Sequence, residues 1–148
     1  MGIAESAQLD SATGLATSQK SSGGAAWVTE VAPGTVLLGA SGNVANASAV
    51  ATLTAAAGET NYISGFEVTG AGATAGAVVS VTVAGLLGGT ATYTYTAATG
   101  AAVGNTPLIV IFDPPHPASA ANTAIVVTCP ALGAGNTNNT VVAHGYQI

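Results

Sequence analysis

Positive charge is almost absent from this 148-residue chain: Lys20 is its single lysine or arginine, and no charged residue follows Asp113. Charged residues make up 5% of the sequence, whereas an ordinary soluble domain contains about a quarter. One lysine cannot neutralise a phosphate backbone or form a basic patch for an anionic membrane. The net charge of −5 points the same way. We therefore expect no nucleic-acid partner and no membrane partner.

The sequence has one cysteine, Cys129, so a disulfide within the chain is excluded. No cluster of cysteine and histidine has the spacing of a structural zinc site. Bulky apolar residues are also few, with two phenylalanines, one tryptophan and four tyrosines, which predicts a thin core. Small domains with thin cores are stabilised by disulfides, metals or oligomerisation. Because the first two are excluded, we expect a homo-oligomer.

Long apolar runs are absent as well. Residues 68–112 carry no charge, but glycines and threonines interrupt them, and no unbroken stretch of about 20 apolar residues exists. The first ten residues, MGIAESAQLD, contain acidic residues where a secretory signal requires basic ones. We expect a chain made in the cytoplasm without a membrane-spanning segment.

Two zones of composition divide the chain. Residues 1–26 are rich in serine, alanine, threonine and glycine, which indicates an extended N-terminal arm. From residue 27 onward, short β-prone runs alternate with turn residues, which predicts an all-β domain over 27–148. We predict a β-sandwich, jelly-roll-like, of about eight strands. The β-prone runs lie at 27–31, 35–39, 48–54, 60–69, 77–84, 90–97, 107–113, 122–129 and 139–147.

The predicted strand at 107–113 is apolar on both faces. With a period of two, Leu108, Val110 and Phe112 share one face, and Ile109 and Ile111 share the other. A strand of this kind is buried on both sides. We expect the first face in the core and Ile109 and Ile111 against a partner.

Alternation also predicts the core-facing side chains of other strands. Tyr93 and Tyr95 are expected to face the core, opposite an exposed row of threonines at 92, 94 and 96. The strand at 60–69 is expected to divide its side chains between two faces. One face holds Tyr62, Phe66 and Val68, and the other holds Ile63, Glu67 and Thr69.

Glycines and prolines mark the connections. Gly88-Gly89 predicts a hairpin, and Pro33-Gly34 predicts a turn. The prolines of 113–117 (DPPHP) predict a stiff, extended connection in which His116 caps the loop. A loose loop is expected at 133–139, which is rich in glycine and asparagine.

The residues that could carry chemistry are Asp113, His116, Cys129 and His144. Cys129 ends an apolar alternating strand, where a cysteine packs as a small hydrophobe, and almost no positive charge is present to stabilise its thiolate. The spacing of Asp113, His116 and His144 matches no metal-ligand motif. We expect no catalytic residue, no metal and no cofactor, and we place His144 on a strand near a surface or interface.

The block from Ile63 to the C-terminus resembles small virion proteins of tailed bacteriophages. The segments that carry the resemblance are GFEVTG at 65–70, VVSVTVAGLLGG at 78–89, PASAANTAIVVT at 117–128 and the ending GAGNTN…A-x-G-Y within 133–146. Among virion parts, a small β-sandwich with an N-terminal arm is most similar to capsid decoration (cement) proteins. The resemblance implies a homotrimer on the capsid surface that binds the major capsid protein and is made in the host bacterial cytoplasm.

The expected interface has two parts, the arm by its composition and the strand at 107–113 by its two apolar faces. Its candidate residues are Ile3, Leu9, Leu15, Trp27, Ile109 and Ile111. A tail, fibre or head–tail joining component is an alternative virion role. A surface-binding module, such as an adhesin or a carbohydrate- or ice-binding domain, is the alternative from another class. The threonine row suggests ice binding, whereas exposed aromatics in a row would favour carbohydrate binding, and Tyr93 and Tyr95 are expected to face the core.

Overall fold

The computed structural model describes residues 35–100 and 106–148, together with the backbone of two short strands near the N-terminus. Those two, β1 (Gln8–Leu9) and β2 (Ala16–Thr17), pair antiparallel with each other. The predicted strand at 27–31, the turn at 33–34, the candidate residues Ile3, Leu15 and Trp27, and the side chain of Leu9 lie outside the described residues.

The described part of the chain is all-β and contains no helix. Ten further strands follow: β3 (Val36–Val44), β4 (Ala49–Leu53), β5 (Asn61–Ala71), β6 (Ala75–Gly76), β7 (Val78–Ala84), β8 (Ala91–Thr96), β9 (Leu108–Pro117), β10 (Ile125–Cys129), β11 (Gly133–Ala134) and β12 (Asn138–Gln147). Eight of them overlap the strands predicted from residue 35 onward, with bounds that mostly differ by one or two residues. The exceptions are β9, which runs four residues beyond 113, β3, which runs five beyond 39, and β10, which begins three residues after 122.

These strands form a sandwich of two four-stranded antiparallel sheets. The first sheet has the order β3-β12-β5-β9 and the second the order β4-β10-β7-β8. Counting the eight long strands in chain order gives 1-8-3-6 in one sheet and 2-7-4-5 in the other. This alternation of neighbours between two sheets is the jelly-roll arrangement, which confirms the predicted fold. The small pair β6-β11 joins the loops at one end.

The core lies between the two sheets. Phe66 of β5 is buried near the middle, with the ring of Tyr93 edge-on at 5.3 Å and the ring of Phe112 at 6.3 Å. Tyr95 is also buried, so the predicted orientation of both tyrosines of β8 is confirmed. The rest of the core consists of Cys129 and of valine, leucine, isoleucine and alanine residues, and each large aliphatic side chain contributes about 1.5–3 kcal/mol through burial.

The predicted faces of β5 are wrong at two residues, Tyr62 and Ile63. Tyr62 lies half-exposed on the outer face, whereas Ile63 is fully buried on the same side as Phe66 and Val68. The cause is a β-bulge: Gly145 of β12 pairs with Ile63 while His144 pairs with Gly65. The extra residue, Ser64, reverses the alternation of side chains between Tyr62 and Phe66.

Two predicted loops are partly strand. The proline run at 113–117 belongs to β9, where His116 pairs with Ile63, so His116 lies on a strand and does not cap a loop. Residues 133 and 134 form β11 against β6, and Asn136 is fully buried. Gly88 and Gly89, both with positive φ, lie in the connection between the antiparallel neighbours β7 and β8, as the predicted hairpin requires.

Candidate interaction surface

The outer face of the first sheet carries several apolar side chains, with Glu67 and His144 between some of them. We call this set of apolar side chains the apolar face, and it consists of Leu37, Tyr62, Ile109, Ile111, Val142 and Tyr146. The strand register brings these side chains together, since residues paired across strands lie on the same side of a sheet. They come from all four strands of the sheet.

One row of the apolar face crosses the sheet through two tyrosines. Leu37 pairs with Tyr146, Tyr146 with Tyr62, and Tyr62 with Pro117. The two tyrosine rings are stacked, with centroids 5.0 Å apart and planes 7° from parallel. Leu37, at the edge of the row, is 84% exposed. The row therefore presents a stacked aromatic pair next to an aliphatic side chain in solvent.

The other aliphatic part of the face comes from β9. Ile109 is 55% exposed and Ile111 is 78% exposed, whereas Leu108, Val110 and Phe112 pack against the core. The structure thus confirms that the strand is apolar on both sides and that the two isoleucines lie on the outer one. The prediction that a partner covers them stays a prediction.

A shallow depression of about 160 Å³ lies within this face. Ile109 and Ile111 form one side of it, and Ser64, Glu67 and His144 form the other. The hydroxyl of Ser64 donates a hydrogen bond to the main-chain carbonyl of His144, 3.1 Å away, and so fixes the bulge at this point. The depression places one carboxylate and one imidazole beside aliphatic side chains, so a partner that covers it has to supply polar groups for Glu67 and His144.

The outer face of the second sheet differs in chemistry. It carries seven hydroxyl side chains, which we call the threonine face: Thr52, Ser80, Thr82, Thr92, Thr94, Thr96 and Thr128. The predicted threonine row of β8 is exposed, and its neighbours widen it, because Ser80 pairs with Thr94 and Thr82 with Thr92. Val50 and Val78 are the exposed large aliphatic residues on this side within the described chain. Hydroxyls hydrogen-bond water, so this face is compatible with solvent.

The four residues considered for chemistry lie in different settings. Cys129 is fully buried, and that burial raises the pKa of its thiol from 9.0 to about 11, although a hydrogen bond with Asn139 acts in the opposite direction. The ring of His116 contacts Phe112 edge-on at 5.1 Å. Asp113 and His144 are exposed, His144 on β12 as expected. Among the described residues, no three histidine, cysteine, aspartate or glutamate side chains lie close enough to hold a metal ion.

Two buried asparagines, Asn61 and Asn139, were not identified from the sequence. Each lies at the first or second residue of a long strand of the first sheet, and each donates its amide to main-chain carbonyls of elements that belong to the second sheet or lead into it. The sequence does contain a signal for one of them. Asn139 has the same alternation phase as the buried Val141 and Ala143, which places its side chain inside.

Comparison of the chain with known protein families, with curated sequences and with solved structures finds no match. Within the described ranges, no helix is long and apolar enough to cross a membrane.

Proposed function

We propose that this chain is a structural virion protein of a tailed phage, a capsid decoration (cement) protein. In this role it acts as a homotrimer on the capsid surface and stabilises the head by binding major capsid subunits. The observation that carries the proposal is the apolar face, and the resemblance of residues 63–148 to small virion proteins supports it. The cement role requires contact with other protein and no reaction.

The apolar face supports a role in protein contact because several strongly exposed apolar side chains share one sheet face. Single exposed aliphatic residues are normal on protein surfaces. Here Leu37, Ile109 and Ile111 are each more than half exposed and lie on one sheet face with two stacked tyrosines. A contiguous apolar patch of several hundred Å² is a mark of an interaction site.

The two outer faces give the molecule a polarity that suits a lattice. A cement subunit has one side against the capsid and one side in solvent, and here the apolar face and the threonine face lie on opposite sheets. Because an oligomer presents several copies of the same face at once, weak individual contacts add up to firm retention. The low charge of the chain then favours dense packing of neighbours without repulsion.

The test is a binding measurement on particles that lack the protein. Purified chain is added to such particles, and occupancy is determined by sedimentation with the particles. We expect saturable binding, and an I109S/I111S variant should lose it at least about tenfold, since two aliphatic anchors are removed from an interface core. The matched control is V78S, which changes an equally exposed aliphatic residue, 72% against 78% for Ile111, on the other sheet.

Two outcomes would overturn the proposal. One is the absence of binding to heads, with labelled protein located on tails, which would establish the tail, fibre or joining role instead. The other is a loss of binding in V78S equal to that in I109S/I111S. Removal of residues 1–26 tests the proposed arm separately: we expect weaker particle binding by a chain that still forms its oligomer.

The threonine face favours a second candidate function, a surface-binding module. Its hydroxyls form a two-dimensional array over the four strands of the second sheet, which could bind a carbohydrate or ice surface. The discriminating measurement is glycan binding and inhibition of ice growth by the purified chain. A T92V/T94V variant that loses such an activity while I109S/I111S keeps it would favour this function over the cement role.

A further inference from the structure

The sandwich has four edge strands, which differ in length and in their protection against pairing with another chain. An exposed sheet edge offers unpaired N–H and C=O groups, and proteins protect it with prolines, charges, bulges or short strands. In the second sheet the edge strands have the usual length, with five residues in β4 and six in β8. In the first sheet the edge strands β3 and β9 are longer, at nine and ten residues.

The edge formed by β9 is blocked. It contains Asp113 and three prolines, Pro114, Pro115 and Pro117, none of which can donate a main-chain hydrogen bond. The register of β9 with β5 is also interrupted. Ile111 pairs with Gly65 and His116 pairs with Ile63, so residues 112–115 have no regular pairing with β5. Another strand cannot extend the sheet on this side without breaks.

The edge formed by β3 has none of these protections. Its sequence, VLLGASGNV, contains no proline and no charge, and all nine residues pair with β12 without a bulge. No described strand pairs with its other edge. Val36 and Leu37, at the start of the strand, are 50% and 84% exposed. The longest unprotected edge of the fold therefore also carries the most exposed of the large apolar side chains.

We propose that β3 pairs antiparallel with β3 of a second copy of this chain, across a two-fold axis. The pairing would join two four-stranded sheets into one of eight strands. A second copy suits this edge because the strand is uncharged, so that self-pairing opposes no like charges. An antiparallel pair of identical strands also satisfies the symmetry of a two-fold contact, in which the same surface is used by both copies.

The apolar face gives a second reason for a copy of the same chain. Four strands about 4.8 Å apart and three rows about 6.7 Å apart give one face an area of roughly 400 Å². That is about half of the 800 Å² that each partner contributes to a standard interface. Leu37 lies on the edge strand, so pairing through β3 would make the apolar faces of two copies continuous and bring the combined area to about that size. The argument from the area of the apolar face rests on the proposed function. The pairing of the two β3 strands does not depend on that function.

The decisive experiment is disulfide cross-linking of the full-length chain in solution. L37C, G39C and S41C each place a thiol on the exposed side of β3, and no Cβ at Gly39 would meet another atom within 4 Å. The native Cys129 is fully buried, so the wild-type chain provides the background. T94C, on the exposed side of the edge strand β8, is the control. The variants are oxidised singly and as equimolar mixtures, because the axis can lie at a residue or between two.

We expect a covalent dimer from at least one β3 variant or mixture, at several times the yield from T94C, since paired residues bring their Cα atoms within about 5.5 Å. Sedimentation velocity supplies the second measurement. G39K/S41K should raise the dissociation constant at least about tenfold by opposing lysines across the axis. T92K/T94K, the same spacing on β8, should leave it unchanged.

Cross-linking no higher than in T94C, or an assembly of three subunits that G39K/S41K does not weaken, would overturn the inference. Particle binding by a chain that gives no β3 cross-link would overturn the inference and leave the proposed function in place. A β3 cross-link in a chain that does not bind particles would support the β3 pairing and overturn the proposed function. A two-fold contact cannot by itself close a ring of three, so pairing through β3 would join one proposed trimer to another.

Discussion

Asn139 of β12 donates its side-chain amide to the main-chain carbonyl of Cys129 in β10, at 3.1 Å. The same amide group reaches the carbonyls of Pro130 at 2.9 Å and Ala47 at 3.1 Å. β12 belongs to one sheet and β10 to the other, and Ala47 lies in the connection that passes between the sheets from β3 to β4. One buried side chain therefore links the two layers of the sandwich at this end.

Asn61 makes the corresponding link at the other end. Its amide donates to the carbonyls of Leu53 at 3.0 Å, Thr54 at 3.2 Å and Thr123 at 3.1 Å. Asn61 pairs with Gln147, at the opposite end of β12 from Asn139. Leu53 ends β4, and Thr123 precedes β10, so both acceptors belong to the layer opposite β5. Few other polar side chains are buried in the described residues, and these two hold the ends of the layers together.

We predict that Asn139→Ala lowers the free energy of unfolding by about 1–3 kcal/mol, because three carbonyls lose their donor inside the protein. The measurement is urea unfolding followed by tryptophan or tyrosine fluorescence. Asn138→Ala is the matched control: this neighbouring amide is exposed, and it bonds to the hydroxyl of Thr137. Equal effects of the two substitutions would contradict the proposed role of Asn139.

Much of the fold could be predicted from the sequence because the strands alternate. In β7 and β10, each buried valine or isoleucine is followed by a more exposed residue, and that pattern is a local property. The bulge at Ser64 is not local. It depends on the pairing of β5 with β12, about 80 residues later in the chain, and nothing within 60–69 indicates where the register changes. The wrong orientation of Tyr62 follows from that.

Part of the candidate site could be predicted because alternation within one strand is a local property. Ile109 and Ile111 could be identified because one strand is apolar on both sides. Leu37 and Tyr146 could not, since each comes from a different strand and only the sheet order places them in one row. A row across four strands is a property of topology, and strands adjacent in this fold are distant in sequence.

Gly145 provides a prediction about the bulge. A Cβ at this position would overlap the main-chain carbonyl of Tyr62 and come within 2.9 Å of a methyl group of Leu53. We therefore expect Gly145→Ala to lower the free energy of unfolding by about 1–3 kcal/mol through overpacking. Gly39→Ala, on β3, is the control, since no atom lies within 4 Å of its Cβ. It should be neutral or stabilising by up to about 1 kcal/mol, because alanine restricts the unfolded chain.

Thermal and urea unfolding of the two glycine variants, measured beside the wild-type chain, decide this prediction. A Gly145→Ala chain as stable as Gly39→Ala would show that the backbone around the bulge relaxes freely.

The last prediction concerns the thiol of Cys129. Burial raises its pKa from 9.0 to about 11, so in the folded chain it stays protonated at pH values where the unfolded thiol ionises. The stabilisation from this group is complete below pH 9 and is lost as pH rises from 9 towards 11, since the unfolded state releases its proton first. We expect the free energy of unfolding of the wild-type chain to fall over this range relative to Cys129→Ala, which cancels the contributions of tyrosine and lysine ionisation.

Alkylation gives an independent measurement on the same residue. At pH 8 the folded chain should react with iodoacetamide far more slowly than the chain in urea, because the thiolate is both scarce and enclosed. Asn139→Ala removes the one hydrogen bond that favours the thiolate, but it also opens the surroundings of the sulfur. Faster alkylation of that variant would therefore indicate that access, and not thiolate content, limits the reaction. Alkylation of the folded wild-type chain at the rate seen in urea would contradict the buried position of Cys129.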